Sequence, residues 1–411
     1  MTTPRSEKPL RVLLVSTFYS AAGGTESYLF AIARALHESG VEIGVLYQTQ
    51  TGREPQGEPW SVFHAPALDP TCGLAITVRQ ARIEEVVTRF GPDVIHVNLF
   101  ADGALLGWLC TLRPVVHFMH SQYPLSCPGD SKFLKDSREV CTRRVGRFCM
   151  IAPWIQGCGS RRPWVHLRTY ASARDYREHA RGVRQMLVAS NYMRDELLLN
   201  GFPAERVTVV RLPNTAEHAA EKESVKGVPD RDTRPIVLYV GRITLHKGVD
   251  LLVKALEHVS TPCRLILAGD GVYRRETEVE AARAPVRHTI TFAGWQERAG
   301  LDALYRRARV VVVPSAWAEP FGLVGLEAMS YEKPVVAFDR GGIGEWLADG
   351  INGILVRPND LYGLGRSIET VLSDDALAER MGKAGHALLV EKFSIDSHLE
   401  LLMGAYRAAI G

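Results

Sequence analysis

Two α/β domains, each a doubly wound, Rossmann-like parallel sheet facing the other across a cleft, are what this sequence predicts. Three observations carry that prediction. The chain has 411 residues, too long for one hydrophobic core and ample for two. Short apolar β-branched runs alternate with amphipathic helical stretches through the first half, as in a parallel sheet covered on both faces. The same alternation restarts near residue 236, after a polar stretch over residues 217–234 that reads as an interdomain linker.

In the first half, residues 10–15 predict a strand, residues 21–24 a turn and residues 26–39 an amphipathic helix. Strands follow at 41–47, 94–97 and 115–118, with a helix at 82–89. Residues 185–189 and 207–210 read as the last strands of this half. In the second half strands are expected at 236–240, 264–268, 288–292, 310–314 and 334–338, and helices at 249–258, 301–307 and 325–330. A final helix at 395–410 keeps one apolar face. The implied domains are 1–213, with a Cys- and Arg-rich insertion at about 121–184, then 214–390, then a terminal helix over 391–411.

Composition narrows the function classes. Lys and Arg number 49 against 46 Asp and Glu, a net charge of +3, too small to imply nucleic-acid binding by itself. The basic residues are uneven, however, and outnumber carboxylates over residues 131–184, with pairs at Arg143–Arg144 and Arg161–Arg162. No stretch approaches the length of a membrane-spanning helix, and the apolar run at 10–18 reads as a strand rather than a signal peptide. A cytoplasmic protein is expected, with room for peripheral attachment to anionic lipid at the inner face of the membrane. Seven cysteines in a reducing compartment imply thiols or metal ligands rather than a disulfide framework.

Several residues fall where strands run into helices, the rim on which open α/β sheets bind ligands. Gly23 and Gly24, followed by Thr25 and Glu26, permit close backbone approach at a helix start, which suits phosphate and equally an ordinary βα turn. Gly241 and Arg242 follow the first strand of the second half, with Lys247 just before a helix. Two cations there suit a diphosphate, or are solvated surface charges. Glu319 and Glu327 flank Pro320, Phe321, Gly322 and Leu323, where two carboxylates can orient a sugar hydroxyl and a ribose. His120 ends a strand on the opposite rim, with His96 and Asn98 as weaker neighbours. A lone His is more often structural, but a neutral one can donate to developing charge. Neither half has a dinucleotide fingerprint with its acidic partner, which argues against NAD.

Taken together these residues resemble the retaining glycosyltransferases of the GT-B fold, the large family 4-like group that includes sucrose synthases and bacterial phosphatidylinositol mannosyltransferases. The resemblance spans nearly the whole chain, and its most specific part is the pair Glu319 and Glu327, separated by seven residues. Gly241-Arg242 with Lys247-Gly248 is similar to the family's donor-phosphate element, and Gly23-Gly24-Thr25-Glu26 to its N-terminal glycine loop. The resemblance implies that Arg242 and Lys247 bind the donor diphosphate, that Glu327 binds the ribose and that Glu319 holds a hydroxyl of the transferred sugar. It implies further that backbone N–H groups of Phe321, Gly322 and Leu323 fix sugar and phosphate, that His120 stands near the reacting carbon and that Gly24 approaches the phosphate. The expected activity is a retaining hexosyl transfer from a nucleotide sugar, a UDP-sugar by preference, with no catalytic metal or other cofactor.

The acceptor is a glycan, a lipid-linked intermediate or a small molecule in cell-envelope or metabolite glycosylation, and no nucleic acid is expected. A sugar phosphorylase on the same fold and a noncatalytic nucleotide-sugar-binding or scaffold protein are the alternatives. The insertion departs most from the family pattern. Its Cys127, Cys141, Cys149 and Cys158 are open to three readings: a structural metal site, disulfides, or independent thiols.

Overall fold

The structure, a computed structural model, describes residues 8–20, 24–52, 54–55, 57–100, 102–129, 131–214 and 232–411. Residues 21–23 of the expected turn at 21–24 and most of the expected linker at 217–234 lie outside the described residues. In chain order the first half supplies β1 (Arg11–Phe18), β2 (Glu42–Thr49), β3 (Ser61–His64), β4 (Val94–Val97), β5 (Val115–Met119), β6 (Phe133–Leu134), β7 (Glu139–Val140), β8 (Gln185–Val188) and β9 (Val207–Val209). The second half supplies β10 (Ile236–Val240), β11 (Arg264–Ala268), β12 (Thr289–Gly294), β13 (Ala308–Val313), β14 (Val335–Phe338) and β15 (Gly353–Val356). The strands form two parallel sheets of order β3-β2-β1-β4-β5-β8-β9 and β12-β11-β10-β13-β14-β15, with β6 and β7 as a separate antiparallel pair. The fold is GT-B, two Rossmann-like sheets about a cleft.

Burial on both faces explains the continuous apolar strands. In β1, Val12 and Leu14 join a cluster containing Tyr28, Ile32, Leu36 and Tyr406. Leu13 and Val15 face a second cluster with Ile83, Val87, Leu105 and Leu109. In each sheet the strand order reverses beside the first strand: β1 lies between β2 and β4, and β10 between β11 and β13. A crevice opens beyond the C-terminal strand ends at such a switch point, so topology alone singles out the segments after β1, β4, β10 and β13.

The final helix, Ile395–Ile410, packs on the first sheet although it follows the second. Tyr406 Oη lies 2.6 Å from His96 Nδ1, and His398 Nε2 lies 3.1 Å from Tyr28 Oη. His96, fully buried, therefore packs between the first sheet and this helix. Among the described residues no helix is long and apolar enough to cross a membrane.

Several elements were not anticipated. The edge strand β3 is short and largely exposed, so it carries no alternating pattern. The helices Gly103–Leu112, Pro163–His179, Asn191–Leu199, Arg274–Ala281, Leu361–Ser373 and Asp375–Lys392 were also missed. The helix expected at 249–258 ends at Ala255, and a 3₁₀ turn over Leu256–His258 completes it. The insertion is not an unattached polar loop. Phe133 of β6 belongs to the core cluster of the second domain, and Arg138 of the hairpin reaches Asp250 there at 2.7 Å. Glu139 is held on the same side by Arg340 and Asn359, both at 3.0 Å.

Candidate active site

The site is built where β10 and β13 end. Gly241 leaves β10 with φ 144°, and its carbonyl oxygen would lie 1.9 Å from a Cβ on Gly269 at the end of β11, so both turns must be glycine. Arg242 follows, exposed, its carbonyl accepting from Tyr239 Oη at 2.8 Å. The chain then makes a 3₁₀ turn over Leu245–Lys247 that closes at Gly248, φ 68°. A Cβ on Gly248 would lie 2.0 Å from Pro314 O, so glycine here lets this turn lie directly on the segment leaving β13. Backbone N–H groups of Ala316 and Trp317 donate to His246 O at 2.9 and 3.1 Å and lock the two segments together.

That contact brings Lys247 Nζ to 2.7 Å from Glu319 Oε1, with side-chain exposures of 21% and 7%. Ser315 Oγ donates to the same oxygen at 2.5 Å, and the Lys247 ammonium lies 5.1 Å from the Trp317 ring centroid. Burial by itself raises the Glu319 pKa, but the attraction of Lys247, with hydrogen bonds to the carboxylate, outweighs it and holds the group below the ordinary carboxylate range. The Tyr239 phenol, raised by burial, feels both the Glu319 carboxylate and the Arg242 guanidinium, so the structure gathers Arg242, Lys247 and Glu319 about one corner. His246, between the two cations in sequence, is pushed down to about 4 by burial first and by Lys247 second.

Gly322, φ 96°, caps the helix Leu323–Ser330, so the N–H groups of Phe321, Gly322 and Leu323 turn at a helix start. Trp346 Nε1 donates to Phe321 O at 2.7 Å and fixes that turn. Glu327, on the same helix, belongs to a second cluster. It accepts from Tyr305 Oη at 2.6 Å and lies 3.8 Å from Arg298 Nη1. Burial raises its pKa, the reverse of Glu319. The two glutamates are thus held differently, one against a lysine and one hydrogen-bonded to a buried tyrosine with an arginine 3.8 Å away.

Across the cleft, His120 follows β5. Its Nε2 lies 3.3 Å from Asn98 Oδ1, and its ring stacks on Phe118 with centroids 4.7 Å apart. Burial, with nearby His117 and His398, pushes its pKa down to about 3, so the ring is neutral at physiological pH. Two residues on, Gln122 Nε2 donates to Ala318 O at 2.7 Å, joining the His120 segment to the loop that carries Glu319. Ser190 Oγ donates to Pro320 O at 2.6 Å, on the other side of Glu319. Gln122, Ser190 and His246 were not singled out by sequence. His246, beside Lys247, and Ser315, four residues before Glu319, carried a local signal.

Gly23 lies outside the described residues. Gly24 opens the helix Gly24–Glu38 on β1's rim. Arg161 is paired with Asp136 at 2.7 Å, and the Arg143 guanidinium lies 4.1 Å from the Phe148 ring centroid, so neither is an uncommitted cation. A cavity of about 420 Å³ lies beside the site, between the insertion and the turn at His246, with Ser131, Lys135, Ser160 and Thr169 among its polar lining.

Residues 22–213 match the family model described as Glycosyltransferase Family 4, and residues 221–387 match that of Glycosyl transferases group 1. An alpha-maltose-1-phosphate synthase of Mycolicibacterium smegmatis is 30% identical over 378 residues, 85% of this chain and 89% of that protein. The chain is a GT-B glycosyltransferase of the family 4 group. The transferase is also 29% identical over 413 residues to a D-inositol 3-phosphate glycosyltransferase of Xylanimonas cellulosilytica, covering 94% and 92% of the two chains. Anabaena HepE, in complex with UDP and glucose, shares the transferase's fold with a TM-score of 0.68 and 18% identity, over 97% of this chain and 100% of that one. The transferase is therefore an enzyme that transfers sugar, and its Lys247–Glu319 pair lies at the switch point of the second sheet.

Proposed function

We propose that this transferase moves a sugar from a UDP-sugar to an acceptor hydroxyl with retention of the donor's anomeric configuration, and that it does so without a catalytic metal. The observation that carries the reading is the part-buried Lys247–Glu319 pair at the second switch point. Before the donor arrives each partner compensates the other's charge. The diphosphate then takes Lys247 together with Arg242, and Glu319 turns its acceptor oxygens to a hydroxyl of the sugar. As the glycosidic C–O bond breaks, charge grows on the departing UDP, which the two cations and the N–H groups of Phe321, Gly322 and Leu323 stabilise in place. The acceptor hydroxyl attacks on the same face and passes its proton to a donor phosphate oxygen. Glu327 takes the ribose, and neutral His120 donates near the reacting carbon.

UDP as the nucleotide rests on the HepE complex with UDP and glucose. The donor domain in this reading is 214–390 and the acceptor domain 1–213, the latter facing a cell-envelope glycan, a lipid-linked intermediate or a metabolite. Support for a membrane-proximal acceptor comes from the insertion surface, where Trp164 is 83% exposed and Ile155 59%, in a segment that also exposes Arg144 and Arg162. Aromatic and aliphatic side chains beside arginine suit an anionic lipid interface. The deciding experiment is anomeric analysis of the product by NMR with UDP- and GDP-sugars, run with and without a chelator. Retained configuration, UDP preference and undiminished turnover in chelator are expected. Inversion, tighter binding of GDP by tenfold or a specific requirement for manganese each refutes its part of the reading.

A further inference from the structure

Four of the seven cysteines are gathered in the insertion, Cys127, Cys141, Cys149 and Cys158, separated by thirteen, seven and eight residues. The fold brings all four to the wall of one small cavity of about 40 Å³. Sequence spacing alone did not require this, because a hairpin, two 3₁₀ or helical turns and several loops intervene.

The packing around that cavity is inverted. Met150, Ile151, Trp154 and Ile155, large apolar side chains of this stretch, are exposed at 42%, 50%, 44% and 59%. The cavity wall instead carries the four thiols, with Phe148 and Ala152 as its larger apolar groups. A segment that turns its hydrophobes outward has no core of its own to hold its shape, and such segments are stabilised by cross-links or metal. All seven cysteines are free thiols, so no cross-link does this.

A second observation points to a ligand. His166 also lines this cavity, is only 3% exposed, and its Nε2 has no hydrogen-bond partner among the described residues. The backbone itself is shaped around sulfur. The Gly129 N–H donates to Cys127 Sγ at 3.3 Å. Cys158 sits between Gly157 and Gly159, with φ 67° and 70°, and Gly159 Cα would lie 3.3 Å from a Cβ on Gly129. The turns bearing Cys127 and Cys158 are therefore in backbone contact.

We propose that Cys127, Cys141, Cys149 and Cys158 form a structural site for one zinc-like divalent cation, bound tetrahedrally by four thiolates, with His166 Nε2 hydrogen-bonding a thiolate from behind. Among the described residues no group of three His, Cys, Asp or Glu side chains already stands in ligand geometry. Loading therefore draws the four sulfurs inward by rotamer changes and is coupled to ordering of the insertion. The cation displaces the four thiol protons to solvent and leaves a site of net charge −2, which Arg143 and Arg144 on the same wall offset, Lys132 there being already paired with Glu196 at 2.6 Å. The site is remote in role from sugar transfer: it would hold the hairpin that carries Phe133 and Arg138 to the second domain.

The test uses full-length protein purified without a metal-affinity step. Elemental analysis is expected to find about one zinc per chain. Native thiol titration should leave four cysteines unreactive until a mercurial releases the zinc in step with their modification. Cobalt-substituted protein should show the intense d–d absorption of tetrahedral thiolate ligation. Cys149→Ser should lose the metal, while Cys72→Ser, outside the cluster, should keep it. If Cys149→Ser precipitates, stripping zinc from the parent and restoring it should lower and then recover Tm. Four freely titrating thiols in folded, metal-free protein overturn the proposal, as do disulfides among the four or a cluster containing inorganic sulfide. None of these readouts depends on donor turnover, so failure of the transfer reading leaves them interpretable.

Discussion

Lys247 and Glu319, 72 residues apart in sequence, meet at 2.7 Å because a glycine at 248 lets the turn after β10 lie on the exit of β13. Each is the other's counter-charge; removing Lys247 leaves the buried Glu319 carboxylate without its cation, whereas Lys247, 21% exposed, keeps contact with solvent when Glu319 is neutralised. Glu319→Gln should keep the fold and nucleotide affinity but lower kcat by roughly 10²-fold, since it removes a charged hydrogen bond that strengthens towards the transition state. Lys247→Ala should weaken nucleotide binding and turnover together. Calorimetry with UDP and steady-state kinetics on both variants separate the roles, and parental kinetics for Glu319→Gln would remove that carboxylate from the mechanism.

The two glutamates should affect stability with opposite pH dependence. Glu319 has a depressed folded pKa, so its contribution is complete above the ordinary carboxylate range of about 4.3 and is lost as pH falls through the depressed value. Glu327 has a raised one, so its contribution is complete below that range and is lost as pH rises through the raised value. Urea midpoints of the parent, Glu319→Gln and Glu327→Gln between pH 3 and 7 should show the parent's advantage growing with pH over the first variant and shrinking over the second. Parallel curves would contradict the assigned environments.

His120 should act as a neutral donor, not as a titrating acid or base. With its pKa near 3, no limb of the kcat profile between pH 5 and 8 should belong to it. His120→Ala should scale the whole profile down, by roughly 10²-fold if the ring donates to developing charge. A pH-dependent limb present in the parent and absent from the variant would make it a proton-transfer group instead.

The hairpin strap is the least expected feature with a measurable consequence. Arg138 makes two contacts with the Asp250 carboxylate, at 3.1 and 2.7 Å, and Asp250 is 2% exposed. Arg138 itself is partly solvated, so Arg138→Ala should cost roughly 1–3 kcal/mol, between the limits for exposed and buried pairs. It should also loosen the connection between the domains. Small-angle scattering should report a larger radius of gyration for the variant, and an unchanged radius would show that Phe133 and the Gln122 bond suffice.

Legibility followed locality. β10, β11 and the final helix were readable to the residue because each carries its own apolar pattern. Arg242, Lys247 and Glu319 were readable as a group because parallel topology puts all strand exits on one rim. The helices Leu361–Ser373 and Asp375–Lys392 left a local signal that went unread: Asp360 and Asp374 each accept from the N–H three residues on. Gln122 with Ala318 and Arg138 with Asp250 left none, because those partners meet only when two separately folded domains close on one another. Convergence of the four thiols was likewise decided by turns with no periodicity of their own.

The turn at Phe321, Gly322 and Leu323, proposed above to meet the donor, depends on Gly325 and Trp346. Trp346, 1% exposed, places its six-membered ring against the first turn of the helix and donates from Nε1 to Phe321 O. A Cβ on Gly325 would lie 2.2 Å from a carbon of that ring, which has to move. Gly325→Ala should therefore destabilise by about 1–3 kcal/mol through overpacking, despite alanine's better helix propensity. Displacing the ring also breaks its bond to Phe321 O, so UDP affinity should fall with stability. Trp346→Phe removes the same bond and leaves room beside residue 325. In that background Gly325→Ala should cost little, and the double variant should be less impaired than the sum of the singles. A double-mutant cycle on both urea midpoint and UDP affinity tests this. Additive effects would mean that Trp346 does not hold the turn.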